Sequence, residues 1–160
     1  MKKVTYNKIF LFFFGLLSIA LQSCDQNRFF EQNQEIANEE WSYQDGKYFD
    51  VNISDTNTLF NFYLNIRNTN DYPYANLYVF IETTFPDLEV AKDTIELQLA
   101  NVNGKWLGDG NGKYKYNHFI LRKAMRFGQV GSYKFGIIHG MRIDTLHGIS
   151  DVGIRLEYYP

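Results

Sequence analysis

From Lys47 onward, apolar and polar residues alternate along the chain in short runs, the signal of half-buried strands. Lys47 to Ile53 is a short strand candidate. In Leu59 to Arg67, Phe60, Phe62, Leu64 and Ile66 share one face, while Asn61, Tyr63, Asn65 and Arg67 share the other. Asn68 to Asp71 reads as a turn, and Pro73 keeps the following residues extended. Leu77 to Phe85 alternates again with Leu77, Val79, Ile81 and Phe85 inward, and Pro86-Asp87 ends it. Thr94 to Leu99 aligns Ile95, Leu97 and Leu99. Asn101 to Lys113 is a loop rich in Gly and Asn near Trp106. Phe119 to Phe127 fits either a strand or a short helical crossover. Ser132 to Met141 puts Tyr133, Phe135, Ile137 and His139 on one side, and Val152 to Tyr158 aligns Val152, Ile154, Leu156 and Tyr158. About seven or eight short strands with no long helix predict an all-β, single antiparallel β-sandwich over residues 41–160. A small β-barrel is the alternative.

The chain before residue 41 has a different character. Lys2, Lys3 and Lys8 precede a 13-residue apolar stretch, Ile9 to Leu21, broken only by Gly15 and Ser18. A basic start, an apolar stretch of this length and small residues at the end describe a secretory signal peptide. The stretch is short for a permanent span, which needs roughly 20 apolar residues. It closes on Leu21-Gln22-Ser23-Cys24, which resembles a bacterial lipobox, with cleavage between Ser23 and Cys24. Residues 1–23 are then the signal peptide. Residues 24–40, rich in Asn, Gln and Glu, read as the lipidated N-terminus and a polar tether with a short helical piece near Phe30 to Glu40. An ordinary cleavage site needs no thiol, whereas a thiolate can take a lipid through a thioether. The resemblance implies acyl chains such as palmitate on Cys24. Two or more such chains anchor a protein stably to a bilayer.

This reading changes the charge balance. Three of the 16 basic residues lie before Cys24 and none of the 18 acidic ones does, so the chain from Cys24 carries a formal charge of −5. An acidic domain without clustered Lys and Arg is a poor partner for nucleic acid. Cys24 is also the only cysteine, so the domain has no disulfide, no zinc thiolate site and no cysteine nucleophile.

Candidate chemistry is sparse. His118, His139 and His147 lack the helical i, i+4 spacing of a zinc pair, and no metal is expected. Asp109-Gly110-Asn111-Gly112 opens like a calcium loop, but its twelfth position is Ile120, which cannot ligate. Ser132, in Val130-Gly131-Ser132-Tyr133, is not a nucleophile elbow. Glu39-Glu40 lacks the apolar surroundings that would raise one pKa. The expectation is a protein without catalytic residues and with no cofactor beyond the covalent lipid on Cys24. Trp41, Tyr43, Tyr48, Tyr72, Tyr74, Tyr78 and Trp106 form the remaining candidate set, as a sugar-stacking platform or as core. Tyr72-Pro73-Tyr74 in particular reads either as a packed corner or, with Trp106, as a partner or glycan contact.

Three stretches carry a family resemblance: the lipobox at Cys24, Ile66-Arg67-Asn68-Thr69-Asn70-Asp71-Tyr72-Pro73-Tyr74-Ala75-Asn76-Leu77, and the run from Gly140 to Arg155 that contains Asp144-Thr145-Leu146-His147-Gly148-Ile149-Ser150-Asp151. They resemble the gliding motility lipoprotein GldH family of the Bacteroidetes. The resemblance implies a lipid-anchored protein of the cell envelope that supports surface gliding, in a machinery working with the type IX secretion system. It also implies protein partners in that apparatus, and no catalytic residue. Asp25-Gln26-Asn27-Arg28 has a single acid followed by a base. That is unlike the acidic run associated with surface export, so the expectation is the outer membrane, facing the periplasm. An envelope glycan-binding β-sandwich is the alternative reading.

Overall fold

The computed structural model describes residues 25–160, which form a β-sandwich of two open four-stranded antiparallel sheets. The first sheet has the order β1-β10-β4-β7, from Arg28–Glu35, Ile149–Tyr158, Leu59–Thr69 and Tyr114–Arg126. The second has the order β3-β8-β5-β6, from Lys47–Ile53, Gly131–His139, Asn76–Thr84 and Val90–Gln98. A two-stranded clip, β2 (Glu40–Ser42) with β9 (Thr145–His147), closes one end.

The inward faces are those the alternation predicts. Phe60, Phe62, Leu64 and Ile66 from β4 and Val152, Ile154 and Leu156 from β10 are buried. They meet Phe49, Val51 and Ile53 of β3, Leu77, Val79 and Ile81 of β5, and Tyr133, Phe135 and Ile137 of β8. Phe62 and Phe135 pack across the sheets with ring centroids 4.9 Å apart. Tyr158 departs from the expectation. It lies past the end of the layer, half exposed against Phe29 and Phe60.

Two other stretches differ from the sequence reading. Arg28–Glu35, assigned to the polar tether, is an edge strand paired with β10 from Arg28↔Glu157 to Glu35↔Asp151. The fold therefore begins four residues after Cys24. The helical piece expected near Phe30 to Glu40 reduces to one 3₁₀ turn, Ala37–Glu39. An edge strand takes its stability from the backbone ladder of its neighbour and needs few apolar side chains. Phe119 to Phe127 resolves as the second half of β7 and the residue after it. Two register shifts against β4, flanking Phe62, break its alternation. The second of these bulges leaves Ala124 at φ 49, with its amide held by Asn61 Oδ1 at 3.2 Å.

All of the turns fall at two ends. The terminal end holds the start of β1, the end of β10 and the loops at 54–58, 85–89 and 127–130. The far end holds the clip and the loops at 70–75, 99–113 and 140–144.

Candidate docking surface

Tyr72-Pro73-Tyr74 and Trp106 come together at the far end, but they play different parts. Tyr72 is 3% exposed. Its hydroxyl donates to the Asn76 carbonyl at 2.9 Å, and burial pushes its pKa up. The backbone of Tyr72 presses on Gly148, which sits at φ 88. A Cβ at Gly148 would lie 2.8 Å from Tyr72 Cα. Only glycine takes both that conformation and that approach without strain. Tyr72 is thus the packed corner of the fold, with Trp106 half-buried behind it at 6.3 Å and Tyr74 edge-on at 5.7 Å.

Tyr74 is the member of the trio that faces outward. With Tyr78, Gly140, Met141, Arg142 and Ile143 it lines a shallow groove of about 460 Å³. Gly140 forms the floor of this groove. Its amide donates to the Tyr78 carbonyl at 2.6 Å, and a Cβ there would meet the Phe80 ring at 3.2 Å. Tyr78 and Phe80 are the outward positions of β5, and both remain exposed. Beyond them a second groove of about 570 Å³ runs over β8 to β3, lined by Tyr43, Tyr48, Phe80, Lys92 and Ile138. Tyr48 lies directly over Gly136, its register partner; a Cβ on that glycine would come within 2.7 Å of the ring. The outer face of this sheet therefore carries a strip of exposed rings, Tyr74, Tyr78, Phe80, Tyr48 and Tyr43. Rigid aromatic area of this kind is enriched at protein interfaces.

The outer face of the other sheet is more polar, with Tyr116 and Ile120 of β7 as its exposed apolar positions. Asn33, Gly153, Asn65 and His118 form one row across the four strands. Asn65 donates to Asn33 at 3.2 Å across the gap left by Gly153. Arg67 bonds Asp151 and Ser150, and Arg155 is paired with Asp25, Glu31 and Glu157. These charges are already matched within the fold.

The remaining candidates separate. Trp41 is fully buried under the clip and donates to the Asp45 carbonyl at 2.9 Å. His118 stacks on Tyr63 at 4.3 Å, His147 is exposed beside Glu40, and His139 is enclosed in the core. Among the described residues no group of three His, Cys, Asp or Glu side chains converges as a metal site. In the glycine-rich loop, the Lys115 ammonium bonds the Gly110 carbonyl, and Asp109 pairs with Tyr116 as a β-bridge. Ser23 and Cys24 lie outside the described residues. The sequence reading singled out Tyr43, Tyr48, Tyr74 and Tyr78 but missed Phe80. The signal was available, since Phe80 has the outward parity of β5 and a soluble strand places a polar residue there.

The GldH lipoprotein family model matches residues 28–156, from the first residue of β1 to near the end of β10. The chain is 35% identical over 156 residues to the "Gliding motility lipoprotein GldH homolog" of Christiangramia forsetii, covering 93% of this chain and 94% of that one. It is 30% identical over 149 residues to the "Gliding motility lipoprotein GldH" of Flavobacterium johnsoniae, covering 89% and 92%. On fold, extent and similarity, the chain belongs to the GldH lipoprotein family.

Proposed function

We propose that this protein is an envelope lipoprotein, cleaved between Ser23 and Cys24 and acylated at Cys24, that supports gliding motility by docking a protein of the gliding and type IX secretion apparatus. The names of its relatives and the signal-like N-terminus support the anchor and the process. The observation that carries the docking is the aromatic strip on the β3-β8-β5-β6 sheet. A domain of this size needs its rings for the core, yet five stand in solvent on one face, while the opposite face is built around a paired polar row and exposes Tyr116 beside Arg67. The proposed site is the outer membrane, facing the periplasm, where such a partner is within reach. The protein needs no catalytic group for this role.

A double variant, Tyr78→Ser with Phe80→Ser, tests it. Both side chains are exposed, so the fold and membrane fractionation should be unchanged while colony spreading of a complemented gliding strain fails. Spreading equal to the parent would refute the docking role. Loss of membrane association in Cys24→Ala is the companion expectation for the anchor.

A further inference from the structure

The fold leaves almost no slack behind the proposed anchor. Only Asp25, Gln26 and Asn27 separate Cys24 from β1, and they are tied down. Arg155 holds Asp25, and this pairing keeps the Asp25 carboxyl below its usual range. The Tyr158 amide donates to the Asn27 carbonyl at 2.8 Å. Four residues of extended chain span at most about 14 Å. An acylated Cys24 in the headgroup region therefore holds the terminal end of the sandwich at the bilayer surface.

That end is built unlike a solvent-facing one. Leu88 forms the tip of the β5–β6 turn, 80% exposed, at φ 70. Bulky residues rarely adopt that conformation, and Gly or Asn is favoured there. Val130, at the β7–β8 turn, is also exposed. The two tips are fastened together where Gln129 donates to Asp87 at 2.9 Å. Tyr158 and Tyr159 are half exposed at the end of β10, ring types favoured at membrane interfaces. Lys123 and Arg126, close by on β7, form no ion pair among the described residues. Asp55, Asp87 and Glu89 share this end, which keeps any contact at headgroup depth.

We propose that the terminal end of the sandwich is a bilayer-docking surface, with Leu88 and Val130 entering the headgroup layer beside Tyr158 and Tyr159. This contact rests on acylation of Cys24. It fixes the orientation of the domain: the strands stand up from the membrane and the far end points away. An interfacial contact of this kind buries apolar side chains roughly 5–10 Å into the headgroup boundary.

Acylation of Cys24 leaves the chain without a free thiol, so single introduced cysteines can be labelled. The full acylated protein, carrying Leu88→Cys, Val130→Cys or the far-end control Val102→Cys (102% exposed), is labelled with an environment-sensitive fluorophore. It is then reconstituted into phosphatidylethanolamine–phosphatidylglycerol vesicles containing spin-labelled lipid. Labels at 88 and 130 should shift to the blue and be quenched, as expected for interfacial depth, and the label at 102 should be unaffected. Protein that floats with the vesicles while labels at 88 and 130 match that at 102 would overturn the docking surface and leave the anchor standing. Protein that does not float would overturn the anchor, and the docking surface with it.

Discussion

His139 makes a quantitative prediction about pH. Its ring is 0% exposed at the end of β8, edge-on to Trp41 at 5.5 Å and to Tyr43 at 6.4 Å. Neither ring nitrogen makes a well-formed hydrogen bond, although backbone groups of Asp144 and Trp41 lie near the ring. Burial disfavours the charged ring and lowers its pKa below the ordinary 6.5. Backbone groups of Asp144 and Trp41 pull weakly the other way. The unfolded chain therefore takes up the proton first, and stability falls as pH drops through 6.5. The slope approaches about 1.4 kcal/mol per pH unit between the two pKa values. The loss accumulates below pH 6.5 until the buried ring itself takes up the proton, and it weighs on a marginal fold. His118 shifts the same way for the same reason, but it is only partly enclosed and contributes less. Carboxylates lowered by their hydrogen bonds, such as Asp25 and Glu96, act only near and below pH 4. The perturbation is His139→Leu, similar in volume and without a titrating group. Removing two unpaired nitrogens offsets the lost ring contact, so the variant should match or exceed the parent at pH 7. Urea unfolding from pH 8 to pH 5, followed by the fluorescence of Trp41 and Trp106, should show a parental loss of stability below pH 6.5 that the variant mostly lacks. Equal slopes in parent and variant would refute the reasoning.

Other substitutions separate the parts of the fold. Gly148→Ala forces a Cβ against the Tyr72 backbone at a positive φ and should cost about 2 kcal/mol or more. Gly104→Ala, at φ 75 with nothing within 4 Å, should cost only about 1 kcal/mol; thermal melts compare the two. Phe62→Ala should lose about 3–5 kcal/mol in urea, while Phe80→Ala loses only about 1 kcal/mol. Arg155→Met removes the partner of Asp25, Glu31 and Glu157 at once. Hydrogen exchange across residues 25–35 should rise in that variant while the β3–β8 ladder stays protected.

The core was legible because burial and alternation coincide there. Phe60 to Ile66 and Tyr133 to His139 announce their faces residue by residue. β1 was not legible, because Glu31, Gln32, Asn33 and Gln34 read as linker in isolation. What makes them a strand is the free edge of β10, more than a hundred residues away. β7 was ambiguous because its bulges at Leu121 and at Lys123-Ala124 shift the parity twice. The three-residue clip is too short to leave a pattern. At the candidate surface the exposed tyrosines were visible as residue types, but which of them face solvent depends on sheet parity. Tyr72 and Tyr78 look alike in sequence, yet one closes a corner and the other stands on an outer face.

The most direct test of the docking account is site-specific photocrosslinking in intact cells. The photoreactive residue replaces Phe80 on the aromatic strip or, as a control, Asn65 on the polar sheet. The account predicts a discrete adduct with another envelope protein from position 80 and none from position 65. Equal labelling from both positions, or no protein adduct from position 80, would contradict it.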